Sequence, residues 1–205
     1  MELRLDSHQH FWHYNDPDYS WLAHNILKQD YLPAYLEPYL RDNGFHGTIA
    51  VQTCQTERET DFLLQLKSQS SFIKGVVGWI DLEAESLRST LSRYAGKVSG
   101  FRLSLAQEAD GERMLGASLQ RGIRMLDDFS YTVDLLVRPH QLKNCARLAD
   151  KFPRQSFVID HLAKPDYSET GFESWASDMQ NLSERKNVFC KISGMVTELP
   201  PQDPE

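Results

Sequence analysis

Short apolar runs alternate with stretches of helical period along almost the whole chain, and this alternation is what most limits the fold. The apolar runs fall near residues 3–9, 47–53, 76–82, 97–105, 131–137, 157–160 and 188–192. Between them apolar residues recur every three or four positions. Examples are Leu36 and Leu40; Phe62, Leu63 and Leu66; Leu87, Leu91 and Tyr94; Leu115, Leu119, Ile123 and Leu126; Leu142, Cys145, Ala146 and Ala149; and Phe172, Trp175, Met179 and Leu182. Continuous apolar runs suit strands covered on both faces, and the other pattern suits amphipathic helices that cover them. Strand–helix repetition of this kind imposes parallel pairing through right-handed crossovers. The predicted fold class is therefore α/β, a (β/α)8 barrel of the TIM type, with its site at the C-terminal ends of the strands. An open doubly wound sheet is the alternative. No Gly-x-Gly-x-x-Gly follows any strand, which weakens a dinucleotide site.

Punctuation supports this reading. Thr56 to Glu59 forms a capping box ahead of the second helix, Gly44 closes the first helix, and Pro139 opens a later one. Seven strand–helix starts are found, so the predicted barrel is incomplete and lacks its last strand. Residues 1–198 are expected to form that domain. Residues 199–205, proline-rich and acidic, have no strand character and are expected to be a tail.

Composition narrows the function. With 40% hydrophobic and 25% charged residues, the chain reads as an ordinary soluble domain. A net charge of -7 argues against nucleic-acid or anionic-membrane partners, which want a basic face. No apolar run reaches membrane-spanning length, and the N-terminus has no signal-peptide core. Cys54, Cys145 and Cys190 are odd in number and widely spaced, which fits free thiols in a cytoplasmic protein.

The motif of most chemical interest closes the first strand: Asp6-Ser7-His8-Gln9-His10-Phe11-Trp12. Alternation puts His8 and His10 on one side, where two imidazoles suit a shared metal or a substrate carbonyl. Spacing alone does not separate this from a chance pair. The aromatic stretch 11–31 that follows is too long for a simple connection; it reads equally as a binding loop or as a cover over the core edge. Other polar residues fall at strand ends: Gln52 and Gln55, Trp79 and Asp81, Arg102, Asp134, His161 and Lys164, and Ser193. Asp160 directly precedes His161, and strand alternation would turn it away. His13, His24, His46 and His140 have no supporting pattern.

Taken together, these blocks resemble the amidohydrolase-2 family, and within it the sugar-lactonase branch. The resemblance is carried by Asp6 to Trp12, by Gly47 to Gln52, by Glu59 to Leu64 and by Gly75-Val76-Val77-Gly78-Trp79-Ile80-Asp81-Leu82. Asp134 to Leu136, Asp160 to Pro165 and Cys190 to Gly194 carry it further. It implies a distorted (β/α)8 barrel and hydrolysis of a small sugar lactone, resembling L-fuconolactone or L-rhamnonolactone. It implies that His8, His10, Arg102 and His161 are catalytic, and that His8, His10 and His161 hold a divalent metal, zinc, in those members that use one. The same histidines acting as neutral donors remain an alternative. Trp12, Gln52, Gln55, Trp79, Lys164 and Ser193 are the candidate sugar contacts. Two departures stand out. Leu103 follows Arg102 where many lactonases of this branch have histidine. The Gly-Ser-Asp-like segment of an eighth strand is missing, and the late acids Asp203 and Glu205 lie in the tail. A barrel that only binds a ligand, and a decarboxylase that clamps its substrate's acid with Arg102, are the competing readings.

Overall fold

A computed structural model describes residues 3–14, 25–109 and 111–198. The predicted tail 199–205, and Tyr19, Trp21 and His24, lie outside them. Seven strands alternate with helices: β1 (Leu5–Gln9), α1 (Pro33–Asp42), β2 (Gly47–Val51), α2 (Glu57–Gln69), β3 (Ile73–Gly78), α3 (Leu87–Arg93), β4 (Gly100–Ser104), α4 (Ala117–Asp128), β5 (Thr132–Leu136), α5 (Leu142–Lys151), β6 (Phe157–Ile159), α6 (Glu169–Ser183) and β7 (Val188–Cys190). Sheet order follows chain order, and the pairings are parallel. This is the incomplete (β/α)8 architecture that the sequence predicts.

The chain divides into two compact units, residues 1–80 with 94–102, and residues 81–93 with 103–205. In the first, Ala50, Val51, Leu63, Val76 and Phe101 are buried in the core. Phe101 meets the Tyr94 ring edge-on, so the alternate residue Arg102 projects from the opposite face of β4. Thr56 caps α2 by accepting from the Glu59 amide at 3.1 Å, as the capping box predicts. Glu59 in turn accepts from the Thr53 amide and hydroxyl, which pins the loop just after β2.

In the second unit, Leu119, Ile123 and Leu126 of α4 and Val133 and Leu135 of β5 are wholly or almost wholly buried. Gly122 is required there by close approach: a Cβ would stand 2.1 Å from the Leu82 carbonyl oxygen. Pro139 begins a short 3-10 turn, Pro139–Gln141, from which α5 continues.

Several strands are shorter than predicted, and β3 is shifted. The sequence places β3 at residues 76–82, whereas Ile73 already belongs to it and it ends at Gly78. The exposed Lys74 and the buried Gly75 mask its beginning. Its apparent continuation is a different structure, because Thr60 Oγ1 accepts from the Trp79 amide at 2.8 Å and donates to the Trp79 carbonyl at 2.9 Å. That closed exchange takes Trp79 out of the ladder.

Candidate active site

In the first unit the polar groups gather at the ends of β1, β2 and β4. β1 carries a bulge between Asp6 and Gln9, where three steps along β1 match two along β2. Asp6 holds this region by accepting from the His8 amide at 3.1 Å and from the Gln9 side chain. Beyond the bulge the His8 and His10 rings meet edge to face, with Nε2 3.2 Å from Nε2. His10 Nδ1 lies 2.7 Å from the Val51 carbonyl oxygen. A carbonyl only accepts, so Nδ1 carries the proton and the Nε2 lone pair of His10 faces His8. Two imidazoles on one tetrahedral zinc, each about 2.0–2.1 Å from it, stand roughly 3.3 Å apart. The observed separation and the fixed tautomer both fit such an ion.

The next residue along β2 brings two more groups. Arg102 is 7% exposed, and its Nη2 donates to the Gln52 carbonyl. The Gln52 side chain is wholly buried, and among the described residues neither its Oε1 nor its Nε2 has a hydrogen-bond partner. A buried polar group left in this state is costly and calls for a ligand or a water.

The other candidates of this unit are placed differently. The Trp12 indole donates to the Gln29 carbonyl at 3.0 Å, and its backbone bridges Tyr31. Its ring packs with Leu27, Tyr31 and Cys54, which makes it an anchor for the described part of the aromatic stretch. Trp79 is half-buried and Gln55 is exposed. A cavity of about 410 Å³ opens beside His10, lined also by Gln9, Phe11, Gln29, Tyr31 and Tyr35.

The second unit carries a buried charge cluster behind its histidine. Lys191, 7% exposed, donates to Asp134 and lies 3.1 Å from Asp160 Oδ1. One ammonium thus lies between two buried carboxyl groups, which suits all three to burial. Asp134, one of the polar residues at the strand ends, is thus paired with Lys191. β6 ends at Ile159, so strand alternation does not set the direction of Asp160. Asp160 opens a turn, Asp160–Ala163, in which His161 has φ 54° and Leu162 also φ 54°. His161 Nδ1 is 2.8 Å from Ser193 Oγ. Ser193, nominated as a sugar contact, is therefore engaged with His161. Lys164 is engaged too: Glu198 takes Lys164 on one oxygen and Arg138 on the other. Burial alone would raise the Glu198 carboxyl pKa, but these two cations outweigh it and hold the group below its usual range.

The remaining histidines and cysteines behave as structural groups. His13 pairs with Asp30 and His46 accepts from the Arg4 amide. The cysteines are free thiols, and burial pushes Cys145 up to about 12. Asp160 and Lys191 are what sequence reasoning missed. The Asp-His adjacency was the available signal for the first. Nothing local marks Lys191, whose partner Asp134 is 57 residues away.

Parallel β/α units with histidines at the ends of the first and sixth strands place the polar groups where barrels of this type carry their sites. The amidohydrolase family pattern matches residues 5–205, and the chain belongs to that family. It is 37% identical to an L-fucono-1,5-lactonase of Burkholderia multivorans, over 96% of this chain and 69% of that protein. An L-fucono-1,5-lactonase of Burkholderia ambifaria is 34% identical, over 98% of this chain and 71% of the relative. A crystal structure of an amidohydrolase from Burkholderia multivorans with bound zinc matches with a TM-score of 0.90 at 37% identity, covering 96% of this chain and 72% of that one.

Proposed function

We propose that this chain is a sugar-lactone hydrolase that opens an L-fuconolactone-like ring by adding water to its ester carbonyl. The observation that carries the reading is the His8–His10 pair, with its tautomer fixed by Val51. Two relatives named L-fucono-1,5-lactonase support the substrate class, and zinc in a similar amidohydrolase supports the metal. His8 and His10 are assigned to hold a divalent ion, zinc, and His161 is kept in that role on the family resemblance alone. When bound, the ion supplies a Lewis acid for the carbonyl and makes water more acidic.

The chain's own groups do the rest. The new C–O bond forms from water to the carbonyl carbon, and the ring C–O bond breaks. Water gives up one proton and the departing ring oxygen gains one, so the product is the open hydroxy acid. Negative charge grows on the carbonyl oxygen, and Arg102, held in place by the Gln52 carbonyl, supplies a fixed positive charge against it. The Gln52 carboxamide offers one donor and one acceptor, which suits a ring hydroxyl. Trp79 and Gln55 remain assigned to the sugar's outer face. Lys191 holds Asp160 in place, and Ser193 orients His161.

The test is hydrolysis of L-fucono-, L-rhamnono- and D-galactono-lactones, followed by acid release with zinc present and after chelation. Turnover above the spontaneous rate, fastest on the L-fucono lactone and lost on chelation, is the expected result. A folded, zinc-loaded chain that leaves every lactone at its spontaneous rate overturns the reading.

A further inference from the structure

The segment after β6 has an unusual backbone. His161, Leu162, Ala163 and Lys164 have φ of 54°, 54°, 56° and 54°. None is glycine, and L-residues adopt this left-handed conformation singly and at a cost, not in runs. A run of four needs outside support. Within the turn, the Lys164 amide donates to the His161 carbonyl at 2.8 Å, and the Leu162 amide donates to the Lys191 carbonyl at 3.2 Å. Helix α6 adds a third tie: the Trp175 indole N–H donates to the Leu162 carbonyl at 2.7 Å. From the other side, Gly194 abuts the His161 ring so closely that a Cβ would stand 2.7 Å from Nδ1 and 2.8 Å from Cγ. Gly194 has φ 66° itself, and its neighbour Ser193 contacts the same Nδ1.

We propose that Trp175 and Gly194 are positioning residues for His161: the indole holds the left-handed turn, and the bare glycine admits the ring on the far side. The proposal deepens the hydrolase reading, because it explains how the His161 side chain comes to be fixed. Trp175 stands 13 residues beyond the carbonyl it binds and makes its contribution through the backbone. A ring held this way loses little entropy on ligation, and groups that orient a metal-binding histidine influence affinity strongly.

Trp175→Phe removes the N–H and keeps an aromatic ring against Phe172, its neighbour at 5.0 Å between centroids. The side chain is half-buried, so this variant is expected to fold. Two readouts apply to the full chain. Imidazole nitrogen NMR without metal is expected to show the His161 signals shifted or split, with His8 and His10 unchanged. Competition for zinc against a coloured chelator is expected to show roughly 10–100-fold weaker binding, with kcat lowered more than KM. Gly194→Ala is the second variant and is expected to displace the His161 signals further.

Unchanged His161 signals and unchanged zinc affinity in Trp175→Phe overturn the proposal, as does a shift of all three histidines together, which marks general loosening. If the unsubstituted chain takes up no zinc, the metal assignment fails; if it also leaves every lactone at its spontaneous rate, the hydrolase reading fails. The NMR comparison still decides the positioning role in that case.

Discussion

His8 and His10 face each other through their Nε2 atoms at 3.2 Å, and the Val51 carbonyl fixes which nitrogen of His10 carries its proton. A neutral imidazole with its lone pair turned toward a second imidazole is arranged for a cation rather than for bulk water. His10→Ala removes one donor of the assigned site outright. Zinc affinity is expected to fall by more than the roughly 10–100-fold typical of losing an outer partner. Isothermal titration with zinc checks this, and an unchanged affinity removes His10 from the ligand set.

The Asp134–Lys191–Asp160 cluster makes a stability prediction. All three side chains are at most 8% exposed. Lys191→Met keeps the length of the side chain and deletes its charge, leaving two buried carboxylates to face each other. Breaking a buried pair from one side typically costs about 3–5 kcal/mol. Urea unfolding of the variant should show a loss of this size at neutral pH. The loss should shrink in acid as the carboxylates take up protons.

Much of the fold was legible in the sequence because its two periods, continuous apolar runs and three-to-four spacing, are local properties. Residues 47–53 and 131–137 contain β2 and β5 with margins of at most two residues. His8, His10 and His161 were nominated for the same reason, since strand ends locate them. What escaped is non-local. Alternation does not set the direction of Asp160, which lies one residue past the end of β6 in a turn with left-handed backbone. The ties of Ser193 to His161 and of Glu198 to Lys164 span 32 and 34 residues. No pattern within one element contains them.

Glu198 gives a pH prediction. Its carboxyl is held below the usual range in the folded chain by Lys164 and Arg138, against the opposing effect of burial. A depressed folded pKa contributes stability above the unfolded value, near pH 4.3, and that contribution is lost as pH falls through the folded value. The turn Met195–Glu198 is therefore expected to stay protected at neutral pH and to open first in acid. Amide hydrogen exchange at pH 7 and near pH 3, corrected for intrinsic rates, measures this. In Glu198→Gln the acid-induced change should disappear. Equal acid sensitivity in both proteins would show that another group controls the turn.

Gln52 allows the binding and structural readings to be separated by sign. A glutamine that serves the fold is hydrogen-bonded, and replacing it with leucine leaves its partners unsatisfied and destabilises the chain. Here the carboxamide is wholly buried, and among the described residues it has no partner. Gln52→Leu exchanges an unsatisfied polar group for an apolar one of similar size. Relief of that desolvation is worth about 1–3 kcal/mol, so the ligand-free variant should be more stable by up to that amount. The same change removes a donor and an acceptor from the proposed sugar site. Affinity for the lactone should therefore fall, with KM raised about 10-fold or more at the roughly 1.4 kcal/mol per decade of binding. Thermal unfolding without ligand and lactone kinetics on the same preparation test both halves. A destabilised variant with unchanged KM would return Gln52 to the core; a stabilised one with raised KM marks it as a residue kept for its ligand.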